Sequence, residues 1–347
     1  MIEIFQEKIR QAAAQRVPLR LRGGGSKDFY GNAPQGEILD TRTYSGIVSY
    51  EPTELVVTAR CGTSLSFLEN ALHEQGQFLP FEPPHFGGEA TFGGCVAAGL
   101  SGPRRAAAGA LRDFVLGVKI VDGRGRVLSF GGQVMKNVAG YDVSRLVTGS
   151  LGTLGLIAEA SLKVLPRPAS EATLRLSMPE ARALDAMTGW AGQPLPVSAT
   201  AWCDGVLSVR LSGAEPAVRA AASHIGGEPA DGALWAALRE QSAPFFDGAE
   251  PLWRVALPPT APPLALPGRQ LIEWGGALRW LKSTAGADQV RDAATRAGGH
   301  ATLFRAADKS PGAFAPLDAA KLRLHRLLKQ AFDPAGILNP GRLYREL

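Results

Sequence analysis

Three consecutive glycines, placed directly after a β-prone segment, form the first feature of this chain that could do chemistry. They lie in the run Arg22-Gly23-Gly24-Gly25-Ser26. Because glycine has no Cβ, successive backbone N–H groups can converge on one anion, and a pyrophosphate is a suitable guest. A flexible turn would have the same composition. The run fits neither G-x-G-x-x-G, since Asp28 occupies its last position, nor G-x-x-x-x-G-K-[ST].

Two further segments concentrate small residues and would allow a ligand to approach the backbone closely. Residues 87–102 are rich in glycine and alanine, and residues 149–157 space three glycines at intervals of three. Tight loop packing is the alternative interpretation of each. The wider stretch 80–110 is too long for a simple connection, and long structured loops commonly serve a binding site.

The elements that must position these segments follow an α+β alternation in the first half of the chain. Hydrophobic spacing predicts helices over 2–16 and 64–76. Strands are predicted at 115–121 and 127–130, joined by the hairpin turn Asp122-Gly123-Arg124-Gly125, and over 154–164. We therefore predict a first domain over residues 1–168.

The second half differs in composition and carries all six tryptophans. Two β-α-β-like units are predicted at 195–227 and 270–305, the second with a strand over 271–278, which favours a small antiparallel sheet covered by helices. We predict a cap over residues 169–329. A tail over 330–347, which follows a helix predicted to end at Phe332, is expected to return to the first domain.

Composition and charge exclude several classes of protein. The 347 residues carry a formal net charge of +5, but the basic residues are dispersed, so an anionic ligand or an acidic partner is favoured over nucleic acid. Cys61, Cys95 and Cys203 form no C-x-x-C pair for zinc or an iron–sulfur cluster, and no metal site is predicted. A charged N-terminus and the lack of an 18-residue apolar stretch lead us to expect a cytoplasmic protein.

Taken together, the glycine segments resemble the FAD-binding family of vanillyl-alcohol oxidase and p-cresol methylhydroxylase. The resemblance rests on Arg22–Ser26, on Ala90–Gly94, on Gly149–Ile157 and on the closing run Asp333-Pro334-Ala335-Gly336-Ile337-Leu338-Asn339-Pro340-Gly341-Arg342. It implies an α+β fold, with a two-subdomain PCMH-type FAD-binding domain and a smaller ferredoxin-like cap. It also implies that FAD lies between them, with its pyrophosphate on the triple glycine.

Two stretches are similar to the E-subunit family of bacterial glycolate oxidases, namely Ser101–Arg105 and Lys136–Leu146. The resemblance implies oxidation of glycolate to glyoxylate within a complex that contains a larger FAD-bearing D subunit and an iron–sulfur F subunit. Association with a membrane is expected only through those partners. Two alternatives remain open: a self-sufficient FAD-dependent 2-hydroxy-acid dehydrogenase, and a mainly architectural subunit with a vestigial flavin.

Two departures from related enzymes qualify the prediction. Ser26 stands where family members with covalent flavin carry a histidine, so we expect FAD to be held noncovalently. The motif H-x-G-D-G-N-x-H of related dehydrogenases is absent from the sequence, and its nearest trace is the single His300 in Gly298–Thr302.

Oxidation of a 2-hydroxy acid also requires a base for the hydroxyl proton and cations for the carboxylate. His85 and His300 are the predicted candidate bases, because the other three histidines fall on predicted helices. Arg104, Arg105 and Lys136 are candidate cations. The predicted FAD-contacting residues are Arg22, Gly23, Gly24, Gly25, Ser26, Gly88, Ala90, Thr91, Gly93, Gly94, Ser101, Gly102, Arg104, Lys136, Gly152, Ile157, Asn339 and Arg342.

Overall fold

A computed structural model describes residues 1–132 and 142–347, which form two large sheets, two two-stranded sheets and flanking helices. The strands are β1 (Leu19–Arg22), β2 (Glu37–Asp40), β3 (Ile47–Glu51), β4 (Val56–Arg60), β5 (Gln77–Phe78), β6 (Val115–Val121), β7 (Val127–Gly131), β8 (Leu156–Lys163), β9 (Leu165–Pro166), β10 (Ser170–Ser177), β11 (Val197–Cys203), β12 (Val206–Gly213), β13 (Glu228–Ala230), β14 (Leu252–Ala256), β15 (Arg269–Glu273), β16 (Leu278–Lys282) and β17 (His300–Arg305). The helices are α1 (Ile2–Gln15), α2 (Leu65–Glu74), α3 (Phe92–Ala98), α4 (Arg105–Ala108), α5 (Leu111–Phe114), α6 (Val143–Val147), α7 (Glu180–Ala191), α8 (Glu215–Ile225), α9 (Ala233–Glu240), α10 (Ala287–Arg296) and α11 (Ala319–Phe332).

The first domain is built on a five-stranded antiparallel sheet in the order β3-β4-β8-β6-β7. The middle strand β8 is buried along almost its whole length. The hairpin between β6 and β7 forms where the sequence predicts it. The buried carboxylate of Asp122 fixes this turn by accepting hydrogen bonds from the backbone N–H groups of Arg124 and Arg126.

Helix α2 shows how the sequence sets an element of this domain. Its leucines recur at helical spacing, and Leu65, Leu68 and Leu72 are fully buried in the core beneath the sheet. The Ser64 hydroxyl caps the helix by accepting from the backbone N–H of Phe67 at 3.4 Å. The helix predicted over 64–76 is therefore confirmed, with bounds two residues shorter at its C-terminal end.

The C-terminal segment after α11 is inserted beside the parallel pair of β1 and β2. Leu338 bridges to Leu19 of β1, and Ile337 and Leu338 are buried with Phe5 and Ile9 of α1. The two ends of the chain therefore share one hydrophobic cluster. This arrangement brings residues 339–342 next to the loop that follows β1.

The cap is an eight-stranded antiparallel sheet in the order β13-β10-β12-β11-β15-β16-β14-β17. Its first four strands, with α7 and α8, have the βαββαβ topology and the strand order of a ferredoxin-like unit. Strands β14 to β17 repeat that order, with α10 as their one helical crossover, and β11 joins β15 at the centre. The two predicted units are confirmed, and they merge into one sheet larger than predicted.

Three predicted elements differ in the structure. The strand predicted over 271–278 is split into β15 and β16 by a tight turn, in which Trp274, Gly275 and Gly276 have positive φ. Helix α3 forms inside the stretch 80–110, because Thr91 caps its first turn. Helix α11, most of which was assigned to the cap, packs Leu328 and Phe332 on the core of the first domain.

The two parts of the chain share a second hydrophobic cluster rich in aromatic side chains. Tyr30, Leu100 and Leu151 of the first domain lie in it with Trp280 and Phe304 of the cap. Trp280 and Phe304 meet edge to face, with centroids 4.9 Å apart. The cap is therefore packed onto the first domain. In the part of the chain that the structure describes, no helix combines the length and apolar character needed to cross a membrane.

Candidate functional site

The triple-glycine loop lines a narrow cleft, here called the glycine cleft, between β1, α3, the 149–157 segment and the C-terminal tail. Its outer part is open to solvent beside Gly23, Gly24 and Gly25, and its inner part reaches Ile157 at the start of β8. The two parts share the lining residues Leu21, Arg22, Gly23, Gly94, Ala97, Leu151 and Asn339. Segments far apart in sequence thus meet along one groove.

Glycine is required at this loop for two different reasons. A Cβ on Gly23 would lie 2.1 Å from the Thr91 hydroxyl, and one on Gly24 would lie 1.4 Å from the Glu89 carbonyl oxygen. Only Gly25 has a positive φ, at 75°. The loop therefore lies against the segment before α3 with no room for side chains, which leaves its backbone facing the cleft.

The second and third glycine segments contribute Thr91, Gly93, Gly94, Gly152 and Ile157 to the lining. Thr91 accepts a hydrogen bond from the Gly94 N–H at 3.3 Å and so fixes the first turn of α3. A Cβ on Gly152 would lie 2.8 Å from the Asn339 amide nitrogen. Because their residues are small, the backbones of these two segments can approach a ligand in the cleft closely.

The C-terminal tail closes the cleft through Asn339 and Arg342. The Asn339 side chain accepts from the Leu21 N–H at 2.7 Å and donates to the Leu151 carbonyl at 2.6 Å, so it joins β1 to the 149–157 segment. The Arg342 guanidinium donates to backbone carbonyls of Asp28 and Asn32. Burial lowers the pKa of Arg342 to about 10, although Asp28 opposes this shift.

Positive charge predominates along the outer part of the cleft. Four cationic residues line it, with Asp28 as its one acidic residue: Arg20, Arg22, Lys27 and Arg342. Arg20 and Arg22 both pair with Asp28. The Nε of Arg20 is buried and has no hydrogen-bond partner within the described residues. An anion in the cleft would supply both the missing acceptor and the missing negative charge.

Arg20 and Lys27 are cleft residues that the sequence analysis did not identify. The sequence did contain a signal for Arg20. Strand β1 has the sequence Leu-Arg-Leu-Arg, and alternate residues of a strand share a face, so Arg20 lies on the same face as Arg22. Lys27 gives no comparable signal. Its ammonium reaches the carbonyl of His85, at 3.2 Å, only through the tertiary fold, and burial lowers its pKa.

Five of the predicted contact residues lie outside the cleft lining, namely Gly88, Ala90, Ser101, Gly102 and Arg104. Ala90 is buried in the core, and its carbonyl accepts from the Leu65 N–H. The Ser101 hydroxyl accepts from the Leu111 N–H, and the Gly102 carbonyl accepts from the Trp274 indole. Lys136, a further predicted contact, lies outside the described residues.

Arg104 belongs to a cluster of paired charges between the two domains, here called the Glu82 cluster, which contains Glu82, Arg104, Glu171 and Arg210. The Glu82 carboxylate contacts Arg104 Nε at 3.2 Å and Arg210 Nη2 at 2.9 Å. Arg104 also pairs with Glu171. Because both arginines are buried and fully engaged, Arg104 joins the first domain to cap strands β10 and β12.

Arg105 and Arg254 lie on opposite sides of the domain boundary, and both contact the indole of Trp274. Their guanidinium carbons are 4.5 and 5.3 Å from its ring centroid. Within the described residues, no carboxylate lies within 4 Å of either group. Burial lowers the pKa of Arg105, and the charge of Arg254 adds to this effect. This Trp274 cluster therefore presents two half-buried cations that form no direct ion pair among the described residues, although the charges of Asp113 and Glu273 act on Arg105 and Arg254, respectively.

The two histidines predicted as bases lie in different surroundings. The Nε2 of His85 is 2.9 Å from a carboxylate oxygen of Glu69, so its ring is already engaged. His300 begins the edge strand β17 and has no recorded partner among the described residues. Burial lowers the pKa of His300, and the neighbouring charge of Arg254 contributes. His300 is exposed at the start of its strand, and the direction of its pKa shift favours the neutral ring, which is the form that can accept a proton.

The chemistry of the glycine cleft suits an extended dinucleotide with a pyrophosphate. It offers backbone groups freed by glycine, a surplus of cations and an unsatisfied buried donor where the phosphates would lie. Its inner part is apolar beside Leu156 and Ile157, which suits an uncharged ring system. The residues that would hold the phosphates are those of the Arg22–Ser26 loop, with Arg20 and Lys27 beside them.

Comparisons with known proteins agree with this interpretation of the cleft. Residues 2–131 match the family model described as the FAD binding domain, and residues 308–343 match the C-terminal domain of the FAD linked oxidases. The first match contains the triple-glycine loop and α3. The second contains α11 and the closing tail.

One relative extends these matches over almost the whole chain, and two others match about half of it. The chain is 53% identical to the glycolate oxidase subunit GlcE of Escherichia coli K12, over 98% of this chain and 97% of that protein. It is 34% identical to the glycolate oxidase subunit GlcD of Bacillus subtilis 168, over 46% of this chain and 34% of that protein. A D-lactate dehydrogenase of Archaeoglobus fulgidus is 32% identical over 49% of this chain and 38% of that protein.

A solved structure supports the fold independently. An alkyldihydroxyacetonephosphate synthase superimposes with a TM-score of 0.66 over 97% of this chain and 74% of that one, at 17% sequence identity. At this identity the likeness concerns the fold alone. It covers both the first domain and the cap.

Proposed function

The chain belongs to the family of the glycolate oxidase subunit GlcE and contains an FAD-binding domain, and from this premise we propose that it is an FAD-binding subunit of a glycolate oxidase complex. The reaction is the oxidation of glycolate to glyoxylate. One observation carries the proposal: the triple-glycine loop, α3, the 149–157 segment and the C-terminal tail meet on one positively charged cleft. Such a cleft suits a dinucleotide, and each of the separated motifs contributes residues to its lining.

FAD is held noncovalently in this proposal. Ser26 ends the glycine loop, and its hydroxyl lies 3.4 Å from the ammonium of Lys27. Neither group forms the flavin linkage that a histidine at this position provides in related enzymes. Binding therefore depends on backbone donors and charge, and denaturation should release the flavin intact.

The substrate is an anion that must lose a hydride from carbon and a proton from its hydroxyl. Bound FAD supplies the two-electron acceptor for the hydride. We assign the carboxylate to Arg105 and Arg254, because they are two half-buried cations on one indole that form no direct ion pair in the described residues. His300 is the assigned base for the hydroxyl proton, since its lowered pKa keeps the ring able to accept one. His85, already bound to Glu69, is the second candidate.

The electrons leave through partner subunits in this proposal. The name of the GlcD relative, also a glycolate oxidase subunit, supports a multisubunit enzyme. The proposed partners are a larger FAD-bearing D subunit and an iron–sulfur F subunit. Two other functions make different predictions: a self-sufficient 2-hydroxy-acid dehydrogenase would need no partner, and an architectural subunit would need no flavin.

Anaerobic addition of glycolate to the purified chain, followed by its visible absorption spectrum, tests the proposal. If the chain works as part of the complex, we expect a yellow protein whose flavin absorbance is bleached rapidly only when the D and F subunits are present. Rapid bleaching of the isolated chain would instead favour the self-sufficient dehydrogenase. A colourless protein without affinity for added FAD would contradict both and favour the architectural role. Release of all flavin into acid supernatant would support noncovalent binding, and retention in the pellet would exclude it.

A further inference from the structure

Helix α11 exposes an apolar stripe that the rest of the described chain does not cover. The stripe, here called the outer face of α11, consists of Ala320, Leu324, Leu327 and Ala331. All four are exposed, and the side chains of Leu324 and Leu327 retain 60% and 52% of their accessible surface. Leu324 is the most exposed large hydrophobic residue in the described ranges.

The helix is attached to the first domain by a different face. Leu328 and Phe332 pack on the core beneath the sheet, and Phe332 meets Phe130 with centroids 6.4 Å apart. The buried ammonium of Lys329 pairs with Asp333 at 2.8 Å and donates to the Thr153 carbonyl. Because these contacts hold α11 in place, the outer face is not needed for its attachment.

The spacing of the outer face is that of a helix–helix contact. Its residues follow one another at intervals of four, three and four, as the a and d positions of a heptad do. A stripe of this width is narrower than the broad apolar face of a helix that lies in a membrane surface, which usually carries aromatic residues as well. The spacing therefore favours a protein partner over a lipid surface.

The charge of the helix limits which protein that partner can be. Residues 319–332 contain Lys321, Arg323, Arg326 and Lys329 but no aspartate or glutamate. Arg323 and Arg326 are exposed and form no ion pair within the described residues. A second copy of this helix would bring like charges together along the contact. A partner rimmed by carboxylates would pair with both arginines.

We infer that the outer face of α11 binds another subunit of the same enzyme, through a surface that is apolar at its centre and rimmed by carboxylates. This inference rests on the proposed function, because it takes its partner from the proposed complex. It adds the place of contact, which is separate from both the glycine cleft and the Trp274 cluster.

Co-expression of the tagged chain with the D and F subunits tests this assignment. The variant Leu324→Glu/Leu327→Glu should bind the other subunits roughly 100-fold more weakly, because each leucine lost from an interface centre costs about tenfold in affinity. Arg323→Glu/Arg326→Glu should also weaken assembly. Both variants should keep the wild-type melting temperature and FAD absorbance, since the replaced side chains are exposed.

The control is Phe67→Glu, which adds one negative charge at a residue that is 57% exposed on α2. It should assemble as the wild type does. Equal assembly of the Leu324→Glu/Leu327→Glu variant would overturn the inference and leave the proposed function intact. Failure of the wild-type chain to capture any other subunit would overturn both. Loss of binding to vesicles of phosphatidylglycerol and phosphatidylethanolamine, with assembly unchanged, would assign the face to a lipid surface instead.

Discussion

At the scale of single residues, the glycine cleft depends on positions that have no side chain. Gly23 and Gly24 avoid contact with Thr91 and Glu89, whereas Gly25 is needed for its positive φ. A bulky replacement at Gly24 would displace the Glu89 backbone, so it would disturb the fold as well as the cofactor. A cleaner test uses a position where a methyl group can be accommodated.

Gly94 comes closest to such a position, because a Cβ there would meet one atom, the Thr91 hydroxyl at 3.1 Å, which must shift by a few tenths of an ångström, and would lie within the cleft lining. Gly94→Ala should raise the dissociation constant for FAD by about tenfold or more, because the methyl group occupies space that the cofactor needs. The apoprotein should melt no earlier, since alanine is favoured over glycine in a helix. Fluorescence titration with FAD measures the affinity.

The control for this prediction is Gly189→Ala, which places a methyl group on α7 with nothing within 4 Å. This variant should bind FAD as the wild type does. Unchanged affinity in Gly94→Ala would remove Gly94 from the cofactor site.

At the scale of elements, paired charges join the 79–105 stretch of the first domain to the cap sheet. Glu82 lies at the centre of this junction and has a positive φ of 47°, which a residue other than glycine adopts only under constraint. Its carboxylate also accepts from the backbone N–H of Arg104 at 2.9 Å. The Glu82 cluster thus fixes the backbone and the domain junction together.

Glu82→Gln should lower the free energy of unfolding by about 3 kcal/mol, because it leaves Arg104 and Arg210 buried without their shared counter-charge. The midpoint of urea unfolding of the apoprotein measures this change. Glu89→Gln is the control, since its side chain is 74% exposed and lies 3.8 Å from Arg42. That variant should change stability by less than about 0.5 kcal/mol. Equal effects of the two changes would show that the Glu82 cluster does not hold the junction.

At the scale of the whole molecule, the buried face of the cap sheet makes stability depend on pH. Glu273 on β15 accepts a hydrogen bond from the Trp280 indole, and burial raises its pKa to about 7. Glu82 adds to this rise, whereas Arg254 and Arg210 oppose it. The folded protein therefore holds a proton that the unfolded chain would release near its ordinary pKa of 4.5.

It follows that the contribution of Glu273 is most favourable at low pH and is lost as pH rises through about 7. Glu273→Gln keeps the hydrogen bond and removes the titration. Relative to the variant, the wild type should lose about 2 kcal/mol between about pH 5 and pH 7.5. Urea unfolding at each pH measures the difference. The comparison ends at pH 7.5 because burial lowers the pKa of Lys309 to about 8. Loss of the Lys309 proton above that pH stabilises the fold. Parallel curves for the two proteins would contradict the prediction.

The sequence by itself determined the parts of this molecule that depend on local chemistry. Apolar spacing fixed α2, and the glycine segments predicted an anion-binding loop and the FAD family. Each of these signals is contained in a short segment, where hydrogen bonding and side-chain packing are local. The tight turn at Trp274–Gly276 and the start of α3 were missed, because each depends on backbone conformations that composition does not specify.

Only the tertiary structure decided which residues share a site. It brought Arg20, Lys27 and Arg342 to one cleft, engaged Arg104 with carboxylates from both domains, and set Arg105 beside Arg254 on one indole. Apart from Arg20 and Lys27, these partners are separated by tens to hundreds of positions along the chain. Their meeting depends on how two sheets and a returning tail pack, and burial and charge pairing act between residues in space rather than in sequence.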